Sequence, residues 1–354
     1  MTSLNQEWLD FQNYIDSDLT THTIIQKSPK SVKKEMPKCS DIYISTQTKI
    51  AYLNKTINLN EVFWKIPMID YFTPDNGIIK KSIKISCTQP KEVETLEKHI
   101  REQKHIQVRI LQQRNKPNAT KNKFKDVRKI DIGLCKKDLI TYRKKQKGAF
   151  YNCFAIIIRI LYENEYKEVH VKIFNTGKLE IPGIQHDKLL NITLDQLIKI
   201  IKPYTYDDIC YNKTDIQTVL INSNFNCGFY IDRFKLFQIL KYKYNLHVSY
   251  DPCSYPGIQC KFCYNPDNTI HNGVYKNTIN INPDKWKKIS FMIFRTGSVL
   301  IVGNCNVGVL NIIYEFLKNI LLDEYSNIAI TINNTEKKKS VKKIRKKTIL
   351  FTTE

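Results

Sequence analysis

The chain contains one short sequence twice, and this repeat limits the folds that it can adopt. The stretch "VHVKIFNTGKLEIPG" runs from Val169 to Gly183, and "ISFMIFRTGSVLIVG" runs from Ile289 to Gly303. The shared residues keep one register, so that Phe174 and Phe294 are 120 residues apart (294 − 174). In each copy, two β-prone runs flank a turn of polar residues and glycine, which predicts a β-hairpin.

A helical pattern follows each hairpin, over Asn191 to Tyr204 and over Asn306 to Glu324. In the second pattern, apolar residues at helical spacing predict one buried face, formed by Leu310, Ile313, Phe316, Leu317 and Ile320. Strand-like and helical segments also precede the two hairpins in the same order. We therefore predict a tandem duplication, in which each half reads strand, helix, strand, hairpin and long helix, with pseudo-two-fold symmetry.

The predicted organisation has four parts. A flexible N-terminal segment covers residues 1–38, a first half 39–204, a second half 205–332 and a basic tail 333–354. Residues from about 87 to 150 have no counterpart in the second half and are interpreted as an insertion. The insertion contains the helical stretch "PKEVETLEKHIREQ" and the strand-like "HIQVRIL" and "VRKIDIGL".

The charge of the chain favours a polyanionic partner. The formal net charge is +22, and removal of the stretch Glu336 to Thr348 still leaves +15 (22 − 7). Lys and Arg that neutralise phosphates release condensed counterions, which favours binding to nucleic acid. A compositional bias toward Lys, Asn, Ile and Tyr remains the alternative explanation.

Other bulk features point to a reduced, intracellular protein. Ten cysteines at irregular spacing and no visible signal peptide indicate free thiols. No apolar run approaches the roughly 18 residues of a membrane span. The pair in "CKFC" (Cys260 and Cys263) lacks the two further ligands of a structural zinc site, and no phosphate loop or catalytic metal motif is present, so we expect no metal, cofactor or enzymatic activity.

Several motifs, taken in their order and spacing, resemble the TATA-binding protein family. They are "KIFNTGKLEIPG", "MIFRTGSVLIVG", "YDPCSYPGIQCK" from Tyr250, and "CFAIIIRI" from Cys153 to Ile160. The similarity runs from about Ile42 to Leu322, interrupted by the insertion. The composition of the chain and its insertion both resemble those of divergent TATA-binding-like proteins of large DNA viruses.

The resemblance implies an α+β fold: a saddle of two β-α-β4-α halves, with one curved antiparallel sheet and helices on its convex side. It also implies a transcription initiation factor whose concave face binds and bends the DNA minor groove. TATA-binding proteins are themselves the standard example of minor-groove kinking by apolar wedges. The implied partners are promoter DNA, a transcription factor IIB-like protein and RNA polymerase. No membrane or small-molecule substrate is implied. The implied location is the nucleus, a viral replication site in the host cytoplasm, or the virion.

The resemblance also assigns roles to single residues. Phe174, Phe294 and Tyr255 match wedge positions, whereas the fourth position falls on Cys153, with Phe154 beside it. Further matched positions lie near the DNA backbone: Arg159, Lys178, Lys261, Arg295, Thr176 and Thr296. Strand alternation from Phe294 places Met292, Leu300 and Val302 on the same, groove-facing side.

Three alternatives remain open at this stage. "GIIKKSIKI", not "CFAIIIRI", could be the counterpart of "GIQCKFCYN". The two hairpin phenylalanines could be core residues. Glu180 and Pro182 replace apolar residues on the groove-facing side of the first half, which favours a saddle-fold adaptor that has lost sequence-specific DNA binding.

Overall fold

The computed structural model describes residues 37–115, 124–140, 150–275 and 285–330. The predicted basic tail, and the predicted N-terminal segment apart from Pro37 and Lys38, lie outside the described residues. None of the described helices is long and apolar enough to span a membrane.

The described chain alternates strands and helices in the predicted order. The first half contains β1 (Tyr43–Tyr52), α1 (Leu59–Lys65), β2 (Gly77–Cys87), β5 (Cys153–Tyr162), β6 (Glu165–Phe174), β7 (Lys178–Ile184) and α4 (Asp187–Ile201). Between β2 and β5, the insertion contains α2 (Pro90–Arg101), β3 (Ile106–Asn115), β4 (Phe124–Gly133) and α3 (Lys136–Ile140). The second half contains β8 (Gln217–Asn226), β9 (Tyr230–Ile231), α5 (Arg233–Gln238), a π-helical turn (Ile239–Lys243), β10 (His247–Ser249), β11 (Ile258–Tyr264), β12 (Lys287–Ile293), β13 (Ser298–Gly303), α6 (Val307–Asp323), α7 (Tyr325–Ile328) and β14 (Ala329–Ile330).

Twelve of the described strands form one antiparallel sheet with a palindromic order. The order is β10-β11-β12-β13-β8-β1-β7-β6-β5-β2-β4-β3. Each half contributes five strands to this sheet when β3 and β4 of the insertion are left aside, and β9 belongs to a separate pair with β14. Counted in chain order, these five appear outward from the central β1–β8 pair as first, fifth, fourth, third and second. Strands β4 and β3 extend only the first half. The α+β class is thereby confirmed, the strand order is repeated in the two predicted halves, and the insertion widens the sheet.

The duplication extends to single hydrogen bonds. In both halves, two backbone N–H groups of the segment after the first strand donate to the tip of the hairpin: Leu53 to Gly177 O (2.9 Å) and Ile57 to Asn175 O (2.9 Å), and Cys227 to Gly297 O (3.0 Å) and Ile231 to Arg295 O (2.9 Å). The next residues, Asn58 and Asp232, cap the N-termini of α1 and α5 with their side chains. All three pairs of equivalent residues are separated by 174 positions (231 − 57). Capping satisfies amide donors that a helix end leaves free, which fixes where each short helix begins.

Helices α1, α2, α4, α5 and α6 pack on one face of the sheet, over two apolar cores. The first core includes Phe63, Phe154 and Leu194, and the second includes Phe291 and Leu317. The predicted stripe of α6 is confirmed, with four of its residues buried and Phe316 packed against them. The opposite face of the sheet, called the open face below, carries the alternate side chains of the same strands.

Candidate nucleic-acid interface

The second hairpin places Phe294 on the open face. Ile293 before it is fully buried in the second core, so the next side chain points away from the helices and is partly exposed. The ring of Phe294 packs against Tyr255, with 5.9 Å between centroids. A Cβ atom on Gly257 would lie 3.0 Å from Phe294 and 3.1 Å from Tyr255, so the missing side chain at Gly257 gives both rings their place. Tyr255 and Phe294 form the second-half aromatic pair.

The first hairpin places Phe174 in the equivalent position, partly exposed on the open face. Lys178 Nζ lies 5.5 Å from its ring centroid. The two partly exposed phenylalanines therefore do not lie beneath the helices.

The pairing register corrects the predicted fourth wedge position. Cys153 lies opposite Phe174, as Gly257 lies opposite Phe294, because Ile258 pairs with Ile293. The residue equivalent to Tyr255, two positions earlier, is therefore Tyr151 and not Cys153. In the sequence, the pattern "FYNCF" from Phe150 to Phe154 contains this tyrosine and could have indicated the aromatic position. The register also confirms β5 as the counterpart of β11, whereas "GIIKKSIKI" lies in β2, the counterpart of β10.

Tyr151 and its neighbour Phe150 are among the most exposed aromatic residues of the described chain, at 50% and 66%. Lys84 Nζ lies 3.5 Å from the ring centroid of Tyr151, and Lys172 Nζ lies 4.9 Å from that of Phe150. The hydrogen bond and positive charge of Lys84 lower the pKa of the Tyr151 phenol. Phe150, Tyr151 and Phe174 each have a lysine close to the ring, and these three residues are called the first-half aromatic cluster below.

Two predicted site residues have other roles. Phe154 is fully buried and packs edge-on against Phe63 of α1 at 5.8 Å, so it is a core residue. Arg159 is only 7% exposed, and its guanidinium donates to Tyr71 O (2.6 Å) and Thr73 O (3.0 Å). Arg159 therefore holds the loop after α1, and we no longer assign either residue to a DNA contact.

The remaining predicted backbone-contacting residues lie at the surface. Thr176, Thr296 and Arg295 are exposed at the hairpin tips, Lys261 is exposed on β11, and Lys178 is partly exposed. They share the open face or the hairpin tips beside it.

The centre of the open face is neutral in the second half. Met292, Leu300 and Val302 are partly exposed there. Their neighbours along β12 and β13, Ile293, Val299 and Ile301, are buried, as strand alternation predicted. Asn224 lies opposite Leu300, and Asn222 opposite Val302. Strands β8, β11, β12 and β13 contain no Asp or Glu. A surface of apolar and amide groups without carboxylates can approach a polyanion without electrostatic cost.

The first half differs at the equivalent positions. Lys172 and Glu180 lie directly opposite each other and form an ion pair of 2.6 Å, where the second half has Met292 and Leu300. The pair is largely shielded, so the charge of Glu180 is balanced within the sheet. The carboxylate that argued against DNA binding in the sequence is therefore compensated.

Helix α3 lies on the open face of the outer strands of the first half. Lys80 Nζ contacts Asp138 at 2.8 Å, and the N–H of Lys136 donates to the Glu168 carboxylate at 3.0 and 3.1 Å. These contacts attach the end of the insertion over β2 and β6. They lie at the end of the strands away from Tyr151.

The cysteines show no metal site within the described ranges, where no group of three or more His, Cys, Asp or Glu is placed to hold an ion. Cys260 belongs to the second core, and burial raises the pKa of its thiol and of the Cys263 thiol. All ten cysteines are free thiols.

Fold and open face together define a class: an internally duplicated α+β protein, with one helix-covered sheet face and paired aromatic residues at the hairpins of the other face. No family model matches the chain. A "TATA-box-binding protein-like" protein of Acanthamoeba polyphaga mimivirus is 26% identical over 204 residues, which are 54% of this chain and 53% of the relative. The chain thus spans about half the length of that relative. Methanococcus jannaschii TBP matches with a TM-score of 0.40 and 12% identity, over 80% of this chain and 99% of the other. The predicted resemblance to viral TATA-binding-like proteins is confirmed.

Proposed function

We propose that this protein is a TATA-binding-protein-like transcription initiation factor that binds and bends the DNA minor groove. The open face acts as the concave side of a saddle, and the protein works by binding and not by catalysis. The observation that carries the proposal is the placement of aromatic side chains at both hairpins, on the face away from the helices and at equivalent distances from the central β1–β8 pair.

The distance between the two aromatic sites suits a short duplex segment. Five strand-to-strand steps separate β6 from β12. At about 4.8 Å per step they span about 24 Å, which equals about seven base pairs at about 3.4 Å each. A side chain inserted at each end would unstack two base steps at a cost of a few kcal/mol each, a figure that itself comes from proteins of this kind. Contacts along the intervening groove would offset that cost.

The surface between the two sites has the chemistry of a groove floor contact. Met292, Leu300 and Val302 offer apolar area, and Asn222 and Asn224 offer amides that can donate to base-edge acceptors. The positive charge of the chain supplies the sequence-independent attraction to phosphates. We further propose that the helices and the second-half hairpin recruit a transcription factor IIB-like protein and RNA polymerase, in the nucleus or at a viral replication site.

The test combines DNA bending and salt dependence. Energy transfer between dyes at the two ends of a duplex is measured with the wild type, with Phe174→Ala/Phe294→Ala, and with Tyr242→Ala as a control. Tyr242 is an exposed tyrosine of the π-helical turn, on the side of the helices. We expect bending by the wild type and the control, and its loss in the double variant. Absence of binding to any duplex at low salt, or full bending by the double variant, would refute the proposal.

A second candidate function is that of an adaptor that does not bend DNA. The Lys172–Glu180 pair and the placement of α3 over the first-half strands favour it, because both reduce the groove-facing surface of that half. The same assay separates the two functions. Equal, weak affinity without bending in all three proteins is the outcome expected for an adaptor.

A further inference from the structure

The two strands that the insertion adds to the sheet carry rows of like charge on the open face. Lys84 of β2 lies opposite Lys129 of β4, which lies opposite Arg109 of β3. Arg114 of β3 lies opposite Lys125 of β4 in a second row. Like charges directly opposite each other destabilise a sheet. The two rows are separated only by the uncharged row of Ser86, Val127 and Gln112. Their presence on one face therefore points to an anionic partner. These five residues are called the basic strip below.

Acidic residues leave most of this charge uncompensated. Asp126 of β4 points to the helices, where it binds Arg128 at 2.8 Å. Asp131 lies on the open face and binds Lys129 at 2.9 Å. No ion pair joins Arg109, Arg114 or Lys125 to an acidic residue of the described chain. Five cations and one carboxylate leave the strip with a net charge of +4, and every basic side chain in it is at least partly exposed.

The basic strip is continuous with the first-half aromatic cluster. Lys84 belongs to the strip and also lies over the ring of Tyr151 at 3.5 Å. The strip extends outward from there across β4 and β3, the last two strands of the sheet. Two strand spacings of about 4.8 Å make about 10 Å, or about three base pairs of duplex.

We propose that the basic strip binds the phosphates of double-stranded DNA that continues past the first-half aromatic cluster. This inference rests on the proposed function, because it requires a duplex on the open face. The inference gives the insertion a role. The insertion lengthens the DNA contact on one side only, by about three base pairs, and so makes the otherwise symmetric complex directional.

The test uses duplexes that share one central sequence and are extended by two, four or six base pairs at either end. We expect the wild-type affinity to rise with extension at one end up to about three added base pairs and then to level off. Arg109→Gln/Arg114→Gln/Lys125→Gln keeps Lys84 at Tyr151, so it should bend the shortest duplex normally but gain nothing from extension. Its slope of log affinity against log salt on the long duplex should fall by about 2.7, at about 0.9 for each lost phosphate contact.

The control is Lys91→Gln/Lys98→Gln/Arg101→Gln, which removes the same charge from exposed positions of α2 on the other face. It should keep the dependence on duplex length. An equal loss in this control, or wild-type affinity that does not depend on length, would overturn the strip while leaving bending of the short duplex intact. Equal displacement of short and long duplexes by polyglutamate would also overturn it, since the strip would then bind acidic polypeptide. Failure of the wild type to bind any duplex would instead refute the proposed function. Unchanged thermal unfolding checks that both variants are folded.

Discussion

Replacement of Gly297 by alanine tests how the two hairpin tips are built. Gly297 has a φ of +80°, and a Cβ atom there would lie 2.3 Å from the carbonyl oxygen of Phe229. Gly177 has a φ of +84° and would bring its Cβ to 2.5 Å from Lys55 O. Each glycine thus meets two separate requirements, a left-handed backbone and the close approach of a carbonyl from the segment that follows the first strand of its half.

A third glycine separates the two requirements. Gly183 also has a φ of +84°, but a Cβ atom there would meet nothing within 4 Å. Alanine at Gly183 should therefore cost only the left-handed conformation, about 1–2 kcal/mol. At Gly297 the backbone must also move, which adds about 1–3 kcal/mol. The reduction in unfolded-chain entropy is common to all three substitutions and cancels in the comparison.

Thermal unfolding of the three single variants measures this difference. We expect Gly297→Ala and Gly177→Ala to lower the midpoint more than Gly183→Ala. At an unfolding entropy of about 2.1 cal/mol/K per residue, each kcal/mol shifts the midpoint of a chain of this length by about 1–2 °C. Equal losses in all three variants would show that the close carbonyl contact adds no cost, and the steric argument would be wrong.

Three further predictions concern single charges and thiols. Burial lowers the pKa of Lys81 to about 8. Between about pH 8 and about pH 10 the unfolded chain therefore binds more protons at this group than the folded chain does. As a result, the free energy of unfolding increases as the pH rises through this range. Urea midpoints at about pH 7.5 and about pH 9.5 should show that rise in the wild type and a smaller one in Lys81→Met. Glu180→Gln releases Lys172 from its ion pair. Fluorescence anisotropy should then show DNA affinity about fivefold higher at low salt and a steeper slope of log affinity against log salt. Unchanged affinity would show that Lys172 does not reach the duplex. Of the ten thiols, only Cys210 and Cys253 are exposed and should react rapidly with an aromatic disulfide reagent in the native state, and a larger number would reveal local opening.

Local patterns in the sequence were sufficient to predict the hairpins, the long helices and the two faces of β12 and β13. The alternation that places Met292 and Leu300 on the open face has a period of two, and the turn glycines mark where each strand reverses. The burial stripe of α6 likewise follows from spacing within one segment. These features depend on residues that are close in the chain.

The register of β5 could not be predicted in the same way. A shift of two residues along a strand keeps every side chain on its face, so alternation cannot distinguish Cys153 from Tyr151 at the wedge position. Only the pairing of Cys153 with Phe174 decides between them. The role of Arg159 depends on carbonyl groups of a loop almost ninety positions earlier, to which no sequence pattern points.

The central pairing of β1 with β8 has a consequence for how the chain assembles. β1 pairs with β7 on one side, but its other side stays open until β8, about 170 positions later, is in place. During synthesis the first half therefore presents a free edge, and a neighbouring nascent chain offers a matching one. A fragment limited to residues 38–204 should accordingly self-associate edge to edge into a two-fold homodimer, reproducing between two molecules the seam that the intact polypeptide closes within itself.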